Sequence, residues 1–253
     1  MLTFAAIYQT KHRWGSGMTK AIIFDFGQTL SDASNGFRTA EKEAQTRIFP
    51  CLGITSWDDF LEVYRRLRKL YHGKSDFSRN EMWLQVFTHY GVDPNPVLLE
   101  QWEDDYWNTV ESQTSLFPEA ADTLERLGAK HSLAIITNTQ GQKTSGKHRI
   151  ARFPGLAGFF RQIIVAGESD MPPKPDPAPF YLCLERLGVL PSEAVYVGDD
   201  WSIDICGARN VGIQPIWLKH HSVSRSWPAG DIEVPVITSL DRLLDLETLL
   251  PDA

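Results

Sequence analysis

AIIFDFGQTLS, residues 21–31, runs three apolar residues and a phenylalanine into Asp25, then turns through Gly27, Gln28 and Thr29. An apolar β-type run that ends on a carboxylate and a glycine turn reads as a buried strand carrying that carboxylate at its C-terminal tip. In open α/β sheets, ligands gather at those tips. Asp25 is therefore the first candidate for chemistry.

The chain beyond Pro118 repeats the pattern. LAIIT (133–137) is a continuous apolar strand ending in Thr137-Asn138, Ile163–Ala166 is another, and Ala194–Val197 ends in Gly198-Asp199-Asp200. Between them lie helical patterns at Glu119–Leu127, closed by Gly128, at Ala178–Leu187, closed by Gly188, and at Ser202–Arg209. Ile213–Leu218 adds a strand, and VPVITSLDRLLDLETLL supplies a last short strand and a helix. Short apolar strands alternating with helices predict βαβ units and a doubly wound parallel sheet, an α/β fold covered on both faces. The prolines at 172, 173, 175, 177 and 179 read as one stiff loop.

Residues 31–115 differ from their surroundings. Ser56–His72 places Phe60, Val63, Tyr64, Leu67 and Leu70 at helical spacing. Ser78-Arg-Asn-Glu81 is a capping box opening a second helix that Gly91 stops, and Pro96–Val110 is a further one. The expected organisation is a core of 20–32 and 115–253, an all-helical insert of 33–114 and an extension of 1–19. Trp57, Trp83, Trp102 and Trp107 read mostly as packing for the insert's own small core.

At 253 residues with 42% hydrophobic and 23% charged side chains, the chain has the composition of an ordered globular protein. A formal net charge of −7 gives no positive footprint for nucleic acid. No apolar run reaches the ~20 residues of a membrane span. Cys51, Cys183 and Cys206 lack metal-ligand spacing and read as buried or half-buried free thiols of a reducing, cytoplasmic compartment. In MLTFAAIYQTKHRWGSG the apolar residues precede the charges, the wrong order for a secretory signal. A mobile extension, or a start at Met18, is the plainer reading. His220 and His221 read as surface residues.

Four polar clusters fall where strands end or helices begin: Asp25, Thr137-Asn138, Lys174, and Asp199 with Asp204. Carboxylates from two strand ends can hold a hard divalent cation such as Mg2+. A lysine and a hydroxyl can bind phosphate oxygens, and a carboxylate facing phosphorus can attack it. Taken singly, each has an ordinary explanation: a turn cap, an exposed loop lysine, a first-turn helix acid.

Together these residues resemble the haloacid dehalogenase (HAD) superfamily of hydrolases, in the phosphoglycolate phosphatase-like subgroup with a helical cap after the first motif. Asp25-Phe-Gly27-Gln-Thr29 matches the family's D-x-D-x-T except at the second Asp. Thr137 matches the second motif, Lys174 in KPDPAPF the third, and Gly198-Asp199 with Asp204 the fourth. The resemblance implies a Rossmann-like core and a cap that closes over the site, excludes water and selects the substrate. It implies a phosphatase for a small phosphorylated metabolite, working as a monomer or homodimer without nucleic acid or membrane. Asp25 is then nucleophile and metal ligand, with Gly27 (through its carbonyl), Asp199 and Asp204 as further Mg2+ ligands. Thr137, Asn138 and Lys174 bind phosphate, and Lys174 also binds the nucleophile.

Gly27 departs from the pattern. In the family's phosphatases the second Asp protonates the leaving oxygen and then activates water, typically about two to four powers of ten in rate. Three outcomes stay open: a leaving group that needs no acid, a proton from another group, or a catalytically impaired protein that binds. The family's haloacid dehalogenases also lack this Asp, but two acids in the fourth motif argue for a metal. Asp25-Phe-Gly also spells a kinase triplet, discounted without H-R-D and V-A-I-K partners. Gly141–His148 fits G-x-x-x-x-G-K, but His148 stands where Ser or Thr must bind Mg2+. Asp200 reads as a helix N-cap at least as well as a metal ligand, and Arg38, early in the insert, could reach substrate although nothing in the sequence shows it.

Overall fold

The computed structural model describes residues 18–139, 149–168, 170–223, 226–228, 230 and 233–250. Residues 1–17 of the expected extension, and the Gly141–His148 motif, lie outside the described residues. Strand β1 (Ala21–Phe24) is followed by a short β2 (Ser31–Asp32), then by helices α1 (Ser34–Ile48), α2 (Trp57–Gly73), α3 (Arg79–His89) and α4 (Pro96–Ser112). A short β3 (Ser115–Leu116) leads to α5 (Ala120–Gly128), β4 (Ser132–Asn138), α6 (Pro154–Ala157), β5 (Gln162–Ala166) and α7 (Pro177–Leu187). Last come β6 (Ala194–Gly198), a π-helical turn (Trp201–Ile205) running into α8 (Cys206–Asn210), β7 (Gln214–Leu218), β8 (Val236–Ile237) and α9 (Leu246–Leu249).

Six strands form one parallel sheet in the order β5-β4-β1-β6-β7-β8. This is the α/β architecture expected. The chain builds outward from β1 on one side through β4 and β5, then returns to the other side at β6. The order therefore reverses at β1, the topological position where α/β sheets open a crevice at the strand tips. All four residues of β1 are buried because both sheet faces are covered. Ile22 and Phe24 face a layer with Leu124 and Leu127 of α5 and the C-terminal Leu240, Leu243 and Leu246. Ala21 and Ile23 face Phe180, Cys183 and Leu184 of α7 and Ala208 of α8. Each such aliphatic or aromatic side chain contributes roughly 1.5–3 kcal/mol on burial.

The chain divides into two compact units, one built on Ala33–Ser115 and the other on the residues up to Asp32 and from Leu116 onward, a short stretch from Thr139 excepted. In the helical unit, Ser56 caps α2 by accepting from the Asp59 N–H, and Asp58 and Asp59 sit in its first turn. Ser78 likewise accepts from the Glu81 N–H, but the Ser78 N–H goes to Asp76 Oδ1, so the reciprocal half of the expected capping box has a different partner. Trp83 and Trp107 are buried and Trp102 packs against them, whereas Trp57 lies at the surface. The unit also buries a carboxylate. Glu41 accepts from Tyr64 (2.8 Å) and Tyr106 (2.9 Å) and lies 3.3 Å from Arg79 Nη2. A buried charge is tolerable only with such partners.

Several local expectations need correcting. Gly128 is the last residue of α5, whereas Gly188 ends α7 with a left-handed φ of 67°. Pro177 and Pro179 belong to α7, where Pro177 occupies the first turn and needs no N–H partner. The helix expected from Ser202 begins as a π-turn. Cys51 is exposed, while Cys183 is buried and Cys206 half-buried. His220 is buried, with Nε2 2.8 Å from Glu119 Oε1 and Nδ1 2.8 Å from Ser222 Oγ, its ring stacked 3.5 Å from Phe117. Those partners come from distant parts of the chain, which is why sequence left His220 looking like a surface residue. His221 is exposed.

Candidate active site

The β1 strand ends at Phe24, and the Asp25 N–H still donates to the Val197 carbonyl of β6. The chain then folds back on itself. Leu30 and Ser31 both donate their N–H to the Phe26 carbonyl, and Gln28 takes a left-handed φ of 58°. This turn closes the loop behind Asp25 and leaves its carboxylate at the sheet tip. Thr29 is fully buried in it, its hydroxyl without a hydrogen-bond partner.

Lys174, on the loop before α7, is 1% exposed. Its Nζ donates to Asp25 Oδ1 (2.8 Å), Asp204 Oδ1 (2.7 Å) and Tyr196 Oη (2.7 Å). An ammonium has three protons, and all three are engaged. Its backbone is clamped as well. Asn138 at the end of β4 accepts from the Lys174 N–H (2.8 Å) and donates to the Lys174 carbonyl (3.0 Å). The Asn138 side chain thus positions Lys174 through both its oxygen and its amide nitrogen.

Asp204 comes from the π-turn after β6. Asp200 caps that turn by accepting from the N–H groups of Ser202 and Ile203, and its own N–H donates to Asp204 Oδ2 (3.0 Å). Gly198 makes this approach possible: a Cβ there would lie 2.5 Å from Cβ and Cγ of Asp204. Asp199 is buried, and its carbonyl accepts from Trp217 Nε1 of β7 (2.9 Å). Asp25, Asp199 and Asp204 each offer a carboxylate oxygen within 4.8 Å of the others. Thr137 lies at the tip of β4, buried and adjacent to β1.

Two residues of this site were not singled out in the sequence. Tyr196 lies mid-strand on β6, fully buried, and read as core. Its alternation places it with Ile23 and Ile136 on the α7 side of the sheet. There its hydroxyl meets Lys174, Asp204 Oδ1 (3.1 Å) and the Ile136 carbonyl (3.1 Å). Trp217 was likewise an apolar strand residue. A polar tip on a large buried aromatic is the signal that such a residue has a polar partner.

The electrostatics follow from two buried carboxylates, Asp25 and Asp204, sharing one ammonium. Burial and the nearby Asp25 push the Asp204 carboxyl up to about 6, against the pull of Lys174. Burial alone would lower Lys174, but Asp204 and Asp25 outweigh it and raise the ammonium above the usual 10.5. Burial and the same two acids raise the Tyr196 phenol well above 10. Burial leads for Asp204 and Tyr196, and neighbouring acids raise all three groups. The donor set fits a hard divalent cation, because carboxylate oxygens are its preferred ligands and two positive charges balance what Lys174 leaves over.

A model of the haloacid dehalogenase-like hydrolase family matches residues 19–212. The chain belongs to that family. A glyceraldehyde 3-phosphate phosphatase of Methanopyrus kandleri is 27% identical over 86% of this chain and 91% of its own. A ribulose-1,5-bisphosphate 5-phosphatase of Halopiger xanaduensis is 30% identical over 92% of this chain and its whole length. Among solved structures, a 2-haloacid dehalogenase from Pseudomonas syringae pv. Tomato DC3000 is similar with a TM-score of 0.61 at 27% identity, covering 91% of this chain and 99% of that one.

Proposed function

We propose that this protein is a Mg2+-dependent phosphomonoesterase for a small phosphorylated metabolite, acting in the cytoplasm through an aspartyl-phosphate on Asp25. The observation that carries the reading is the buried carboxylate cluster of Asp25, Asp199 and Asp204, with the Lys174 ammonium bonded to Asp25 and Asp204. Relatives named as phosphatases along nearly the whole chain support it. An alkyl halide carries no anionic phosphate to neutralise, so a dehalogenase has no comparable need for three acids and a cation.

Asp25, Asp199 and Asp204, with the Gly27 carbonyl, would hold the cation. When bound it supplies positive charge against the repulsion between an anionic nucleophile and an anionic phosphate. Lys174 fixes Asp25 by one oxygen, Oδ1, and leaves the other to attack phosphorus. The hydroxyl of Thr137, near the tip of β4, would donate to a phosphate oxygen. Asn138 keeps Lys174 from sliding along its loop. The helical unit is assigned the choice of substrate.

The test is turnover of p-nitrophenyl phosphate with Mg2+, by the wild type and by Asp25→Asn. Turnover abolished by the substitution and by EDTA is expected. Inorganic phosphate bound without turnover would make the protein a binding member of the family. Metal-independent chloride release from 2-chloropropionate would make it a dehalogenase.

A further inference from the structure

Phosphoryl transfer through a loose transition state places much of the negative charge on the departing oxygen. A strongly basic alkoxide therefore leaves slowly unless a proton reaches it. The α/β unit has few places to find that proton. Lys174 spends its three on Asp25, Asp204 and Tyr196. The Tyr196 proton is held between Asp204 and the Ile136 carbonyl. The Asn138 amide is bound to the Lys174 backbone, and the hydroxyl of Thr137 is not an acid near neutral pH. Asp25 and Asp204 each accept one of the Lys174 protons. His220 uses both ring nitrogens, on Glu119 and Ser222, and His131 lies at the opposite end of the sheet, against Thr19. The residue two positions beyond Asp25, in the turn over the strand tip, is Gly27, with no side chain at all. Among the described side chains hydrogen-bonded around Asp25, the protons of Lys174 and Tyr196 are already committed to partners.

We infer that the site takes phosphates whose leaving group is a weak base, namely acyl, enol and aryl phosphates, in preference to primary alkyl phosphates. The inference rests on the phosphatase reading and narrows it. In the first step an Asp25 oxygen forms a bond to phosphorus, the bond from phosphorus to the leaving oxygen breaks, and its electron pair departs as carboxylate, enolate or phenolate. That anion takes its proton from solvent after release. In the second step water adds to phosphorus, the Asp25–phosphorus bond breaks, and Asp25 recovers its carboxylate. Both protons of the water stay on the product as dihydrogen phosphate, so neither step requires a side-chain acid.

The experiment is a leaving-group series. kcat/KM with Mg2+ is measured for phenyl phosphates whose phenols span pKa values from about 5 to about 10, together with acetyl phosphate and a primary alkyl phosphate; unassisted departure predicts a fall of roughly four powers of ten across the phenols. The alkyl phosphate should be slower still, and acetyl phosphate among the fastest. Gly27→Asp restores a proton donor at the strand tip and should flatten the slope by raising the poor substrates most. A wild-type slope near zero overturns the inference while leaving the phosphatase reading intact, because another group would then be supplying the proton. No turnover with any member overturns the phosphatase reading itself. The wild-type slope decides the matter even if Gly27→Asp fails to fold.

Discussion

The Lys174 ammonium lies 2.8 Å from Asp25 Oδ1, although 149 residues separate them in the chain. Lys174 is also the only cation hydrogen-bonded to that buried carboxylate cluster among the described contacts. Lys174→Met keeps the length of the side chain and removes the charge. Breaking a buried pair from one side typically costs about 3–5 kcal/mol. Urea melts in EDTA should show a loss of that order. Mg2+ should stabilise the variant more than the wild type, because the cation then balances a larger excess of negative charge. An equal Mg2+ effect on both proteins would separate Lys174 from the cation site.

Gly198 and Asp204 touch too closely for any side chain at 198. Gly198→Ala should push Asp204 from the cluster and cost roughly 1–3 kcal/mol by overpacking. The more telling readout is Mg2+ binding by calorimetry, expected to weaken about tenfold or more when a ligand is misplaced. Retained affinity would show that Asp204 is not needed for the cation.

The fold class was legible because β1, β4 and β6 are unbroken apolar runs, and a sheet covered on both faces demands that pattern. Asp25, Lys174, Asp199 and Asp204 were legible as a set because, ordinary one by one, they fall in the order of one family's motifs where strands end or helices begin. What stayed hidden depends on tertiary partners. Tyr196 is an ordinary strand aromatic until Lys174 arrives from 22 residues away. Asn138 could not be seen to spend its amide on a loop 36 residues downstream. His220 owes its burial to Phe117 and Glu119, a hundred positions earlier. The left-handed Gln28 carries no signature, since Gly27 beside it is the residue that usually takes such a φ.

Glu119 shows how pH should act away from the cation site. Burial tends to raise its carboxyl, but hydrogen bonds led by His220, with Ser239 and the Leu240 N–H, hold it below the usual 4.5. A depressed carboxylate stabilises the fold at pH values above its unfolded range, and that contribution is lost as pH falls through the folded value. Glu119→Gln should therefore be less stable than the wild type at pH 7, and the two should converge on acidification below the usual carboxylate range. Chemical denaturation at pH 7 and at successively lower pH measures the gap. A gap that stays constant would assign the loss to packing alone.

Tyr196→Phe isolates one hydroxyl. The phenyl ring keeps its place against Phe180, 5.3 Å between centroids. What disappears is the third partner of the Lys174 ammonium and the link from Asp204 to the Ile136 carbonyl, next to Thr137. A buried hydrogen bond lost from one side costs about 1–3 kcal/mol of stability. The ammonium, no longer held from three directions, should aim Asp25 less well, and a misaligned nucleophile lowers kcat by roughly tenfold or more. Because the hydroxyl makes no expected contact with substrate, KM for p-nitrophenyl phosphate should change little. Steady-state kinetics beside thermal melts separates the cases. A stability loss with unchanged kcat would reduce Tyr196 to a packing residue. A fall in kcat at constant KM would place it in the positioning of the nucleophile.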